Sequence, residues 1–497
     1  MNASSHLPVA VLGAGPVGLA AAAHLIQRGI TPVVLEAGQS VGANLASYQH
    51  VRLFSPWQYN IDRAARELLL ATGWTAPSPD ALPTAGEIVT DYLEPLARVP
   101  AIAQALRLGH RVTRIARKGI DKVKTAGREM APFVVRVETP SGEHELFAQA
   151  VIDTTGTWSN PNPLGANGLP ALGELQLSNR IRYGMPDILG SERKRYAGKR
   201  VLVVGAGHSA AGNLIALATL AGEVPGTQVV WAVRGVNLAK VFGGGEADQL
   251  AARGALGTRL KHLQQSGALE VHTGFRVHAL RQSGNTMTVV GEPVNGEVHS
   301  IAEIDEVVAA TGARPDLQLA AELRIRLDPW LESTDALAPL IDPNLHSCGT
   351  IRPHGHRELA HPESGYYVAG AKSYGRAPNF LMVTGYEQVR SIVAALAGDY
   401  AAANDVQLEL PETGVCNTRG LASEGLSGST CCSPAPAPAA EQSFAGAPGD
   451  CCGGKAPTGA DACCVRDVEE KLKGNQGCGC NTGTRKSTKG NIGASCG

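Results

Sequence analysis

Residues 9–36 read VAVLGAGPVGLAAAAHLIQRGITPVVLE. An apolar run leads directly into Gly13, Gly15 and Gly18 in G-x-G-x-x-G spacing; an alanine-rich stretch follows, and a second apolar run closes on Glu36. The pattern predicts strand, tight turn, helix and strand. The first glycine permits the turn, the second lets backbone approach a pyrophosphate, and the third lets helix pack closely on strand. Unpaired N–H groups and the positive dipole end at the helix N-terminus face the phosphates. Glu36 stands where a carboxylate accepts hydrogen bonds from a ribose 2′-OH and repels a 2′-phosphate.

The pattern recurs. Residues 199–222 read KRVLVVGAGHSAAGNLIALATLAG, with Gly205, Gly207 and Ala210 in G-x-G-x-x-A spacing. The next apolar run, QVVWAVR, ends on Arg234 instead of an acid. A guanidinium there attracts a 2′-phosphate, so the second site leans towards NADP, with a solvated strand-edge role as the other reading of Arg234. His208, inside this fingerprint, reads as a residue that caps or packs at the helix start. Two fingerprints with different terminal residues indicate two different dinucleotides in one chain.

The 497 residues leave room for two or three domains, and 43% apolar content is that of a globular chain. Lys plus Arg (44) nearly balance Asp plus Glu (45), which gives no electrostatic footprint for nucleic acid or a membrane surface. The apolar stretch from Leu7 to Ile26 lacks a basic leader, and its glycines occupy the fingerprint, so it reads as buried strand and helix instead of a signal peptide. No other run is read as membrane-spanning. The expected location is the cytoplasm.

Cysteine placement is uneven. Of 11 cysteines only Cys348 lies in the first 400 residues, so the body has no disulfide framework. The others crowd into the tail: Cys416, the adjacent pairs Cys431 with Cys432, Cys451 with Cys452 and Cys463 with Cys464, then Cys478, Cys480 and Cys496. They sit among Gly, Ala, Pro, Ser and Thr, too poor in large apolar residues for a core, so the tail is expected to be disordered apart from a helical pattern at residues 465–474. Paired thiolates select soft metals and trivalent arsenic over hard cations. The tail has no His and no zinc-finger spacing. Cys431, Cys432, Cys451, Cys452, Cys463, Cys464, Cys478 and Cys480 are therefore candidate ligands for a soft metal or metalloid, against the alternative of a linker that merely carries cysteines.

Two further marks lie between and after the fingerprints. VIDTTGTWSNPNP (151–163) places Gly156 and Trp158 after an apolar strand, and EVVAATGARPD (306–316) repeats the theme with Gly312. Each reads as a strand leaving one nucleotide domain towards its neighbour, with Gly where backbone passes a cofactor. Taken in order, these four motifs resemble the two-dinucleotide flavoproteins, most closely the flavin-containing monooxygenases that use FAD and NADPH, over roughly residues 7 to 395. The vicinal-cysteine tail resembles those of proteins that handle arsenic, including flavoproteins of arsenic-resistance operons. The chain departs from the monooxygenase pattern twice. The stretch RIRYGMPDILGSERKRYAGKR (180–200) has no His, and the family's late Gly-Asp is replaced in YYVAGAKSYG (366–375) by Gly370 followed by Ala371. The body also lacks the C-x-x-C of a thioredoxin-reductase mechanism.

The expected fold is α/β, with two doubly wound Rossmann-like domains and a disordered Cys-rich tail. An FAD domain is placed on residues 1–165 and 320–400, an inserted NADPH domain on 166–319, and the tail on 401–497. Cofactor contacts are expected at Gly13, Gly15, Gly18, Glu36 and Gly156, at Gly205, Gly207, Ala210 and Arg234, and at Gly312 and Gly370. The resemblance implies hydride transfer from NADPH to flavin, then delivery of one oxygen atom from dioxygen to a small soft nucleophile, for which a trivalent arsenical fits the tail. Candidate active-site residues are Arg52, Ser55, Trp57, Tyr59 and Asn60 in VRLFSPWQYNID (51–62), with Arg376 and Asn379 in SYGRAPNF; a structural loop role is the alternative for each. HSCGTIRPHGHRELAH (346–361) holds His346, Cys348, His354, His356 and His361, without a recognised metal-ligand spacing. Two other classes remain open: a thiol or metalloid reductase that relays electrons through a tail dithiol, and a metalloid-binding or chaperone protein.

Overall fold

The computed structural model of the protein describes residues 7–239, 241–243, 248, 250–292, 297–346 and 351–407. Cys348, the tail cysteines and the 465–474 helix pattern lie outside the described residues. In chain order the strands are β1 (Val9–Leu12), β2 (Pro32–Leu35), β3 (Leu106–Arg107), β4 (Arg111–Arg117), β5 (Phe133–Thr139), β6 (Gly142–Ala148), β7 (Ala150–Asp153), β8 (Ile181–Tyr183), β9 (Arg200–Val204), β10 (Gln228–Ala232), β11 (Glu270–His272), β12 (Val277–Ser283), β13 (Thr286–Gly291), β14 (Ser300–Ile304), β15 (Glu306–Ala309) and β16 (Tyr366–Val368).

They form two five-stranded sheets in the orders β16-β7-β1-β2-β3 and β11-β10-β9-β15-β8. Every pairing within both is parallel. Each fingerprint is thus a β-turn-α unit on the central strand of its sheet, with the glycine turn at that strand's carboxyl end, where open α/β sheets bind ligands. The strands are short apolar runs without alternation, and β1 and β7 are buried on every residue, as sheets covered on both faces require.

The covering layers differ from face to face. Helices pack on one side of the first sheet, led by Pro16–Gln27 and Met382–Leu396. The other side is covered by the antiparallel sheet β4-β5-β6, whose Phe133, Val135 and Val137 pack with Leu12, Leu35 and Val151. Arg136, between Val135 and Val137, and Glu138, just after Val137, point outward, and this period of two excludes a helix. The second sheet repeats the scheme, with helices His208–Glu223 and Ala251–Gln265 on one face and β12-β13-β14 on the other. β8 to β15 lie in sequence between β7 and β16, so the chain returns to the first sheet after completing the second. No helix among the described residues is long and apolar enough to cross a membrane.

Candidate functional site

The first glycine turn is built as its spacing requires. Gly13 has φ +95°, and its N–H donates to Leu35 O at 2.8 Å. A Cβ at Gly18 would sit 1.9 Å from Gly13 O, so helix and strand tolerate no side chain there. At Gly15 a Cβ would meet nothing within 4 Å, because the position faces a cleft of about 550 Å³. Glu36 lies on the same wall and accepts from the Ala14 and Gly38 N–H groups, each at 2.7 Å. A carboxylate has about four lone-pair sites, so capacity remains for hydroxyl groups. Gly156, at φ +70°, and Gly370, at φ +74°, also border the cleft. Its apolar part is formed by Tyr48, Leu53, Trp158, Phe380 and Met382.

The second turn repeats the geometry. Gly205 has φ +143°, and a Cβ there would approach Ala310 O to 2.2 Å; its carbonyl accepts from Trp231 Nε1 at 2.8 Å. Gly207 faces open space, with nothing within 4 Å of a Cβ position, and Ala210 is fully buried. Arg234 stands exposed beyond β10, its guanidinium 3.5 Å from Ala166 O. His208 opens the helix, and its ring lies 5.2 Å from that of Phe54, so the early loop of the first sheet reaches the second turn.

The two crossover segments lie against each other. Asn162 N–H donates to Gly312 O at 2.9 Å, Thr311 Oγ1 donates to Asn162 O at 2.6 Å, and Arg314 N–H donates to Asn160 O at 3.0 Å. Gly312 is held in this pairing and is not among the residues that border the cleft. Trp158 marks the junction. Its ring lies 4.4 Å from Tyr48, its Nε1 donates to Ser47 Oγ at 2.8 Å, and Gly184, just after β8, gives it room, since a Cβ there would come within 2.8 Å of the indole. Burial pushes the Tyr48 hydroxyl up to about 12, so it stays protonated.

The candidate catalytic residues fall elsewhere. Of the 51–62 stretch, Leu53 borders the cleft. Asn60 is buried and spends its amide on its own loop: Nδ2 donates to Ser55 O at 2.7 Å and Pro56 O at 3.0 Å, and Oδ1 accepts from Ser55 Oγ at 3.1 Å. Trp57 is buried in the core, while Arg52 and Tyr59 do not border the cleft. Arg376 pairs with Glu332 at 2.9 Å, and buried Asn379 donates to Ile341 O at 3.2 Å. In the His-rich stretch the rings are separately engaged: His346 with Pro339 O, His354 with Gln388, His356 with Asn404 and His361 with the Arg326 N–H. No group of three or more metal-ligating side chains occurs among the described residues.

Sequence reasoning missed the buried ion pair behind the cleft. Lys372 Nζ lies 2.6 Å from Asp153 Oδ2 and 3.1 Å from Thr155 Oγ1, and Thr155 borders the cleft. A Lys two residues beyond Gly370, where the Gly-Asp pattern breaks, was the available signal. Its partner stands 219 positions away in sequence.

Over residues 10–349, which carry both glycine turns, the second parallel sheet and most of the first, the chain matches the pyridine nucleotide-disulphide oxidoreductase family. The chain belongs to this family. As a pyridine nucleotide-disulphide oxidoreductase it is an enzyme of flavoprotein architecture, in keeping with the expectation of FAD and NADPH. It is 29% identical over 202 residues to the indole-3-pyruvate monooxygenase YUCCA1 of Oryza sativa subsp. japonica, a match that spans 40% of this chain and 42% of that protein. Among solved structures it resembles the bacillithiol disulfide reductase of Bacillus cereus, at TM-score 0.56 and 20% identity over 79% of this chain and 99% of that one. It also resembles the FAD-bound cadaverine monooxygenase DfoA of Erwinia amylovora, at TM-score 0.56 and 15% identity over 82% and 98%. A flavin monooxygenase variant from Stenotrophomonas maltophilia matches at TM-score 0.51 and 20% identity over 79% and 98%. At these identities the likeness to the solved structures is one of fold.

Proposed function

We propose that this oxidoreductase binds FAD at the first glycine turn and NADPH at the second, and oxygenates a small soft nucleophile, with trivalent arsenicals as the substrate class. The observation that carries the cofactor reading is the open backbone at Gly15 and Gly207, each at the carboxyl end of a parallel sheet with a helix N-terminus behind it. Glu36 supports a ribose with a free 2′-OH at the first site, and exposed Arg234 supports a 2′-phosphate at the second. In this reading residues 1–165 and 320–400 form the FAD domain, 166–319 the NADPH domain and 401–497 a thiol-bearing tail. When bound, the flavin supplies hydride acceptance and dioxygen activation. The chain's own part is to hold the two dinucleotides against a shared junction at Trp158 and to keep water from the apolar end of the cleft. One oxygen atom goes to the arsenic lone pair; the other leaves as water with the two electrons of NADPH. The arsenical rests on the vicinal thiols of the tail, which bind soft centres. Tail cysteines that act as thiols are kept reduced most readily in the cytoplasm, the location this reading assigns.

The test is anaerobic reduction by NADPH followed by admission of dioxygen, with and without a trivalent arsenical. The reading expects rapid flavin bleaching, and pentavalent product in proportion to NADPH when arsenical is present. Flavin that is not bleached overturns the cofactor reading. Hydrogen peroxide as sole product in both arms overturns oxygenation of arsenic. The family's disulphide chemistry favours a second reading, a thiol or metalloid reductase that uses tail cysteines; NADPH-driven disulfide reduction without dioxygen would select it.

A further inference from the structure

Gly370, on the cleft wall, is held from behind by a buried relay. Its N–H donates to Gln388 Oε1 at 2.8 Å. Gln388 Nε2 lies 2.9 Å from Ser373 Oγ and 3.0 Å from His354 Nε2, and His354 Nδ1 lies 3.0 Å from Arg352 O. His354, Ser373 and Gln388 are each at most 1% exposed. The donor and acceptor roles follow from chemistry. A backbone carbonyl only accepts, so His354 Nδ1 carries a proton; an amide nitrogen only donates, so His354 Nε2 is bare. Gln388 cannot be turned over, because Gly370 N–H needs its oxygen. The relay is consistent only with neutral His354.

We propose that His354 is a proton-sensitive positioning residue for the cofactor cleft, acting through Gln388 on Gly370. A proton on Nε2 would face the Gln388 NH2 group, donor against donor. Rotating the amide satisfies the imidazolium but leaves Gly370 N–H facing a donor, so the wall formed by Gly370 and Ala371 loses its N–H anchor and keeps only the bond from Ser373 Oγ to Gly370 O at 2.8 Å. Charged neighbours do not prevent this. Glu358 and Glu387 favour the imidazolium, but Glu358 already accepts from the Gly355 N–H at 2.8 Å and Glu387 is paired with Arg390 at 2.7 Å. Tyr374 also faces the imidazole, its ring 5.7 Å away. Burial holds His354 below the ordinary imidazole range. Cofactor affinity is therefore full at neutral pH and falls with acidification, by up to about tenfold per pH unit.

The inference rests on the reading that this cleft holds FAD, and the experiment separates the two. Flavin retained by the full-length protein after desalting is measured between about pH 5 and 8, with circular dichroism at each pH. Wild type is expected to release flavin towards acid while its helical signal is unchanged. His354→Gln, which offers Gln388 a permanent acceptor, should retain flavin at neutral pH and lose the acid-driven release. Gln388→Glu, which accepts from both Gly370 N–H and the imidazolium, should move the release to lower pH. The proposal is overturned by flat retention in wild type, by the same profile in His354→Gln, or by release that coincides with loss of helix. Protein without flavin at every pH would refute the FAD reading instead.

Discussion

Lys372 Nζ and Asp153 Oδ2 meet at 2.6 Å with both side chains at least 97% buried, and this contact ties the 370–374 turn to the end of β7. Removing one partner leaves an uncompensated buried charge, which costs about 3–5 kcal/mol. Lys372→Ala and Asp153→Ala should each lower unfolding free energy by that order, and Lys372→Met with Asp153→Leu should recover much of it. Urea titration of the three proteins checks this. Equal losses in the singles and the double would show that packing, not charge, dominates.

The glycines of each turn should separate folding from binding. Gly15→Val and Gly207→Val place a side chain in open space, so both proteins should fold. Gly15→Val is expected to purify without flavin, whereas Gly207→Val should keep flavin and fail to be reduced by NADPH. Gly18→Ala should instead destabilise the protein itself, since its Cβ would sit 1.9 Å from Gly13 O. Normal reduction of Gly207→Val by NADPH would refute the assignment of the second turn.

Arg234 should set the choice between NADPH and NADH. A hydrogen bond to a charged group contributes about 1.5–3 kcal/mol, so Arg234→Ala should erode the ratio of kcat/KM values for the two cofactors roughly ten- to a hundredfold. Steady-state kinetics with both cofactors measures it. An unchanged ratio would place the 2′-phosphate contact on another residue.

The thiol-bearing tail should be separable from the body. Arg390 donates to the Asp405 carbonyl, and Gln407 N–H donates to Glu387 at 2.8 Å, so the cut belongs after Gln407. The shortened chain should keep the flavin spectrum of the full chain and lose most trivalent arsenic retained on desalting, because Ser and Thr cannot replace thiolate ligands. Full metalloid retention would move attention to Cys348.

The two strand-turn-helix units were legible at once, because glycine spacing and apolar runs are local and act over one turn of chain. Even the bare Gly15 and the closed Gly18 follow from spacing alone. The layer β4-β5-β6 was less visible, since its alternating pattern specifies a strand but not which sheet face it covers. Asn60 shows a sharper limit. Its polarity and its place in the early loop suggested chemistry, yet its amide is consumed by Ser55 and Pro56. Side-chain partners that are distant in sequence cannot be read from periodicity. The pairing of 160–162 with 311–314, the Lys372 contact to Asp153 and the relay from Gly370 to His354 all arise where separate segments are packed into one interior. There the loss of water leaves each polar group with no partner but the one the fold supplies.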